Sequence, residues 1–127
     1  DAAGVYGRQI PTKKSNPIDV RDLLTVFGRE QIIYKKFPFF HNAFSLIQRS
    51  AWLKQNFDET VNGIEDRLWA LKQCNLGKKI IYEPSAIAYH EHGLNQSSNQ
   101  HRALRVCKAL SQLHSDDVFE FPDSIYN

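Results

Sequence analysis

The sequence predicts an α/β fold of the α+β-like kind, in which a mixed sheet is flanked by helices. Strand-like and helix-like stretches interleave along the 127 residues, in the order strand, helix, weak strand, strand, helix, helix, strand, strand, helix. Two helix boundaries are marked locally, by Asn16-Pro17 at a start and by Gly77 at an end. The strands are too few to close a doubly wound sheet by themselves, and the order suits the second half of a larger layered assembly.

Gly4 to Pro11 reads as a short strand that leaves through Pro11, with Arg8 and Gln9 at its polar end. A loop follows. Asn16 then caps a helix with Pro17 at its first position and Asp19 at N3. Ile18, Val20, Leu23, Leu24 and Phe27 give that helix an apolar side, and Gly28 ends it. Gln31 to Tyr34 is a weak strand, and Lys35 to Phe40 is a loop whose three phenylalanines should pack or line a binding surface. His41 to Gln48 alternates as a strand does, with Ala43, Ser45 and Ile47 on one side. A short helix from Arg49 or Ser50 to Gln55 is anchored by Trp52 and Leu53.

Further on, Lys79 to Glu83 is a strand stopped by Pro84, and Ser85 to His92 is a second extended run. Residues two apart on a strand share a face, so His90 and His92 project together. A polar loop from Gly93 to Ser98 leads to an amphipathic helix over Gln100 to Leu113, with Ala103, Val106, Cys107, Leu110 and Leu113 on one side. The folded unit is expected to take in residues 1–114, leaving 115–127 as an irregular tail.

Composition narrows the function classes. A net charge of +2, with the basic residues scattered, argues against a nucleic-acid partner. Cys74 and Cys107 fall in separate helical patterns and read as two buried free thiols in a reducing compartment. No apolar run approaches membrane-span length, and no signal-peptide pattern is present. The chain enters its first strand without an initiating Met and has no Met anywhere, as expected of a piece of a longer or processed protein.

The most informative stretch is Phe57 to Trp69. It turns at Asn62-Gly63, where positive φ is cheap, and enters a helix that runs to Leu76 with Gly77 as its C′ residue. Ile64, Leu68 and Leu71 form one apolar face, and Glu65 and Asp66 lie off it in the first turn. Carboxylates there stabilise a helix start through its free N–H groups and its dipole. They equally make a pair presented at the rim of a pocket, one of them a general base. Spacing alone leaves both open.

Six blocks then occur in a telling order: Tyr6 to Pro11; His41 to Trp52; Phe57-Asp58-Glu59; Gly63 to Ala70; Gly77 to Ala86; and Tyr89-His90-Glu91-His92-Gly93. In that order they resemble the C-terminal half of a GT-A-type glycosyltransferase of the inverting family 2 kind, in its bacterial rhamnosyltransferase-like and surface-polysaccharide branch. The resemblance implies Asp66 as the catalytic base, with Glu65 as its neighbour or substitute. It places Arg8 and Gln9 near the nucleotide sugar and Asn42 in the strand and turn behind the acceptor site. Trp69 either packs in the core or stacks on the acceptor. His90, with His92 as second candidate, completes a Mg or Mn site begun elsewhere by an Asp-x-Asp, and the metal neutralises the diphosphate leaving group.

The implied partners are a nucleotide-sugar donor and a glycan or lipid-linked acceptor, in the cytoplasm or peripherally at the inner face of the membrane. This sequence contains no Asp-x-Asp and no nucleotide-binding βαβ unit. The parent protein is therefore expected to be an enzyme, and this piece alone to be inactive. The other reading is a non-catalytic assembly module that dimerises through exposed apolar surface, using Phe37 to Phe40 and the last helix.

Overall fold

Strand β1 (Ala2–Ile10) holds the centre of the molecule, with Ala3, Tyr6 and Gln9 all buried. Along one edge it pairs in parallel with β4 (Lys79–Tyr89), and along the other it pairs antiparallel with β3 (Ser45–Ile47). Strand β2 (Ile32–Tyr34) pairs antiparallel with the outer edge of β4, giving a mixed four-stranded sheet of order β2-β4-β1-β3. Among the described residues four α-helices accompany it: α1 (Pro17–Val26), α2 (Arg49–Lys54), α3 (Glu65–Asn75) and α4 (Gln96–Leu113). The computed structural model describes residues 1–61, 63–91 and 96–113. Among the described residues no helix is long and apolar enough to cross a membrane.

One buried cluster ties the layers together. Tyr6 of β1 stacks on Tyr82 of β4, with ring centroids 4.9 Å apart, and meets Phe27, Phe39 and Phe40 edge-on. Leu23 and Phe27 bring α1 into this cluster, and Trp69, Ala70 and Cys74 bring in α3. Desolvation in this setting drives the Tyr6 hydroxyl far above its usual pKa, and its oxygen lies 3.4 Å from that of Tyr34. Of the three phenylalanines in the loop, Phe40 is buried, Phe39 is half-buried and only Phe37 is exposed.

Locally signalled elements form as expected. Asn16 caps α1, its Oδ1 accepting the Asp19 N–H at 2.9 Å, and Pro17 starts the helix. Gly63 and Gly77 flank α3 with φ of +92° and +79°. Elsewhere the structure corrects the sequence. The alternating run after Phe40 is not one strand: Asn42–Phe44 is a 3-10 turn, and β3 begins only at Ser45. Side chains close that turn, with His41 Nδ1 accepting the Ala43 N–H and Asn42 Oδ1 accepting the Ser45 hydroxyl at 2.9 Å. Such local bonds compete with a strand ladder.

Pro84 does not stop a strand. It sits where the β1–β4 register slips, from Gly7 opposite Glu83 to Arg8 opposite Ile87, so its missing N–H costs no ladder bond. The Glu83 carboxylate holds this bulge by accepting the Ser85 N–H at 3.0 Å and the Ser85 hydroxyl at 2.6 Å.

Three helices also differ in detail. On α1 the buried residues are Asp19 and Leu23, with Phe27 buried at its C-cap, while Ile18 and Leu24 are exposed. In α2 the core residue is Ala51, Leu53 is 70% exposed, and Trp52 packs edge-on against Phe57 at 4.7 Å. Helix α4 starts at Gln96, inside the expected polar loop, because a polar run without Gly or Pro offers nothing that breaks a helix. Its Cys107 is exposed, whereas Cys74 is buried and its thiol pKa is raised by that burial. The expected tail lies outside the described residues.

Candidate active site at the start of α3

Ile64 is wholly buried and fixes the first turn of α3 against the core, so the two carboxylates that follow it diverge. Glu65 folds back, its Oε2 accepting the Gly63 N–H at 2.7 Å. It lines a groove of about 410 Å³ with Trp52, Phe57, Asp58 and Glu59. Asp66 turns towards the 3-10 turn instead. Its Oδ2 accepts the Asn42 N–H at 2.9 Å and its Oδ1 accepts the Arg67 N–H at 2.8 Å. Burial raises the Asp66 pKa above the usual carboxylate value, and these two amides and the Arg67 charge hold the rise back.

Asn42 therefore meets Asp66 through its backbone, and its side chain serves the turn. The next residue back, His41, links the cluster to β1: its Nδ1 lies 3.0 Å from Gln9 Nε2. Its ring packs edge-on against Phe27 at 5.9 Å and against His90 at 5.8 Å. His90 is anchored at the end of β4, where its N–H donates to the Ile10 carbonyl at 2.9 Å. Arg67 lies over the face of Phe39, 4.7 Å from its centroid. Together with Asp19, Asp22 and His41, Arg67 and Phe39 line a cavity of about 140 Å³.

Asp66, Asn42, Gln9 and His90 thus come together at one end of β1 and β4, with His41 as the residue that joins them. Gln9 is 1% exposed, and its Oε1 and the Arg8 Nε are buried without hydrogen-bond partners. Trp69 stands apart. It is 1% exposed in the core, and its indole N–H donates to the Gln55 carbonyl at 2.7 Å, so it offers no face on which a substrate could stack. His92 lies outside the described residues.

Among the described residues no three His, Cys, Asp or Glu side chains converge as metal ligands. His90, whose ring edge rests on His41, does not make a metal centre by itself. Asp19, Asp22, His41 and Arg67 are polar residues lining the cavity beside Phe39 that the sequence alone did not single out as functional. The one available signal was that His41 and Arg67 fall inside the blocks carrying the family resemblance. No known protein family, curated protein or solved structure matches this chain.

Proposed function

We propose that this chain is the acceptor-side, catalytic-base part of an inverting GT-A-type family 2 glycosyltransferase, which moves a sugar from a nucleotide-sugar to a glycan or lipid-linked acceptor. The observation that carries the reading is Asp66. It is a half-buried carboxylate at a helix start, held by two amides, with its pKa raised towards the range where a base works well. In the proposed step the acceptor hydroxyl oxygen bonds to the anomeric carbon from the side opposite the leaving group. The bond from that carbon to the diphosphate oxygen breaks, and the hydroxyl proton passes to Asp66. Glu65 accepts a backbone N–H in another groove and takes no part in the proton transfer.

For the parent enzyme the same reading includes a Mg or Mn ion to which His90 contributes, and location in the cytoplasm, either free or peripherally at the membrane's inner face. The described residues do not by themselves assemble a ligand set for that ion. The alternative is an assembly module working through Phe37 to Phe40 and the last helix; its loop surface has less support because Phe39 and Phe40 are drawn into the core.

The test is Asp66→Asn in the parent enzyme. Transfer should fall by about a hundredfold to ten-thousandfold, the usual worth of a general base, with donor affinity nearly unchanged. Glu65→Gln should do far less. Near-normal turnover in Asp66→Asn with loss in Glu65→Gln would identify the wrong carboxylate, and normal turnover in both would reduce the pair to a helix start.

A further inference from the structure

We propose that His41 is a positioning residue for Asp66, acting through the 3-10 turn Asn42–Phe44; the proposal rests on the reading of Asp66 as the base. Two donors converge on His41 Nδ1, the Gln9 side-chain amide at 3.0 Å and the Ala43 N–H at 3.4 Å. A nitrogen that accepts has no proton of its own, so this arrangement assigns the neutral ring's proton to Nε2. The Ala43 bond closes the turn from its start, and the Ser45 hydroxyl on Asn42 Oδ1 closes it from its end. The amide between these two clamps is Asn42 N–H, the one that reaches Asp66 Oδ2 at 2.9 Å. Because a peptide unit is planar, fixing the residues on either side of an amide fixes where its N–H points.

Gln9 gives this device its reference point. It belongs to the central strand and is 1% exposed. Its Oε1 is buried without a partner while its Nε2 meets His41, so its polar contact within the core is spent on this ring. The connection therefore runs from the most constrained element, β1, through His41 and the turn, to a carboxylate on α3 that would otherwise depend on its own helix alone. Glu65 and Arg67 are the charged neighbours that also bear on Asp66, the first raising and the second lowering its pKa, and neither passes through His41.

Carboxyl-carbon NMR titration of Asp66 in the full chain tests the proposal. In His41→Ala the turn loses its first clamp and Asp66 loses one of its two amide donors. The titration midpoint should then rise by about one pH unit. His41→Asn, whose Oδ1 can accept the Ala43 N–H as an N-cap does, should bring the midpoint back to the wild-type value. A merely structural histidine would lower the melting temperature and leave the midpoint in place, and that result overturns the proposal. Should His41→Ala not fold, the near-isosteric Gln9→Met releases the ring from β1 and should move the midpoint in the same direction; no movement overturns it equally. None of these readouts involves sugar transfer. A shifted midpoint together with full turnover in Asp66→Asn would therefore sink the base reading and spare the positioning one.

Discussion

Asp66 is pulled in two directions, and the balance has a measurable sign. Burial disfavours its charged form, two backbone amides favour it, and burial wins. A carboxyl whose pKa is higher folded than unfolded contributes stability that is fully present below the unfolded value, about 3.9, and is lost as pH rises through the folded one. Asp66→Asn has no charge to bury. It should therefore be more stable than the wild type at neutral pH, by no more than about 1 kcal/mol, with the gap closing on acidification. Denaturant unfolding of both proteins at neutral and acidic pH checks this, and a variant that is weaker at neutral pH would show the amides to outweigh burial. Glu83, whose pKa is lowered by Ser85 and Gln31, acts with the opposite sign: what it contributes is present above the ordinary glutamate range and fades as pH falls. The position of Asp66 was legible in the sequence because a helix start is a local signal. The part played by His41 was not, because it depends on Gln9, far off along the chain, and on a turn that alternation disguised as a strand.

Elements with their own punctuation, such as α1 behind Asn16-Pro17 and α3 before Gly77, could be read directly from the residues. Those whose form depends on a partner strand could not. Pro84 reads as a stop until β1 is laid beside it, and only then does the register slip show why β4 continues to Tyr89. The same slip explains Gly7. A Cβ at that position would lie 2.7 Å from the Ala86 carbonyl and against the Phe44 ring, contacts that backbone cannot easily yield. Gly7→Ala should accordingly lower stability by about 1–3 kcal/mol, the usual range for overpacking. Gly28→Ala, with nothing within 4 Å of the added carbon, is the control and should change it little. Chemical denaturation of the two variants side by side decides the matter, and equal losses would dissociate Gly7 from the bulge.

For the whole molecule, the decisive fact is that the two central strands lie far apart along the described chain. Among the described residues strand β4 is the only partner of β2 and the parallel partner of β1, so one late element completes the sheet. A chain ending at Gly77 keeps α1, α2 and α3 but loses Ile80 and Tyr82 from the core. It should show no cooperative thermal transition and little dispersion in its proton NMR spectrum, and a sharp melt would refute this account of the core. The mixed α/β class with a mixed sheet was legible because strands and helices interleave in the sequence. The strand order was not, because no local residue records which distant strand will lie alongside. Ala2 pairs with Lys79, 77 positions further on. At synthesis rates of about 5–20 residues per second, the first strand leaves the ribosome roughly 4–15 s before its main partner exists. For that interval the edge of β1 that β4 will take is an open row of N–H and C=O groups, a template for wrong pairing that β3, on the opposite edge, does not cover.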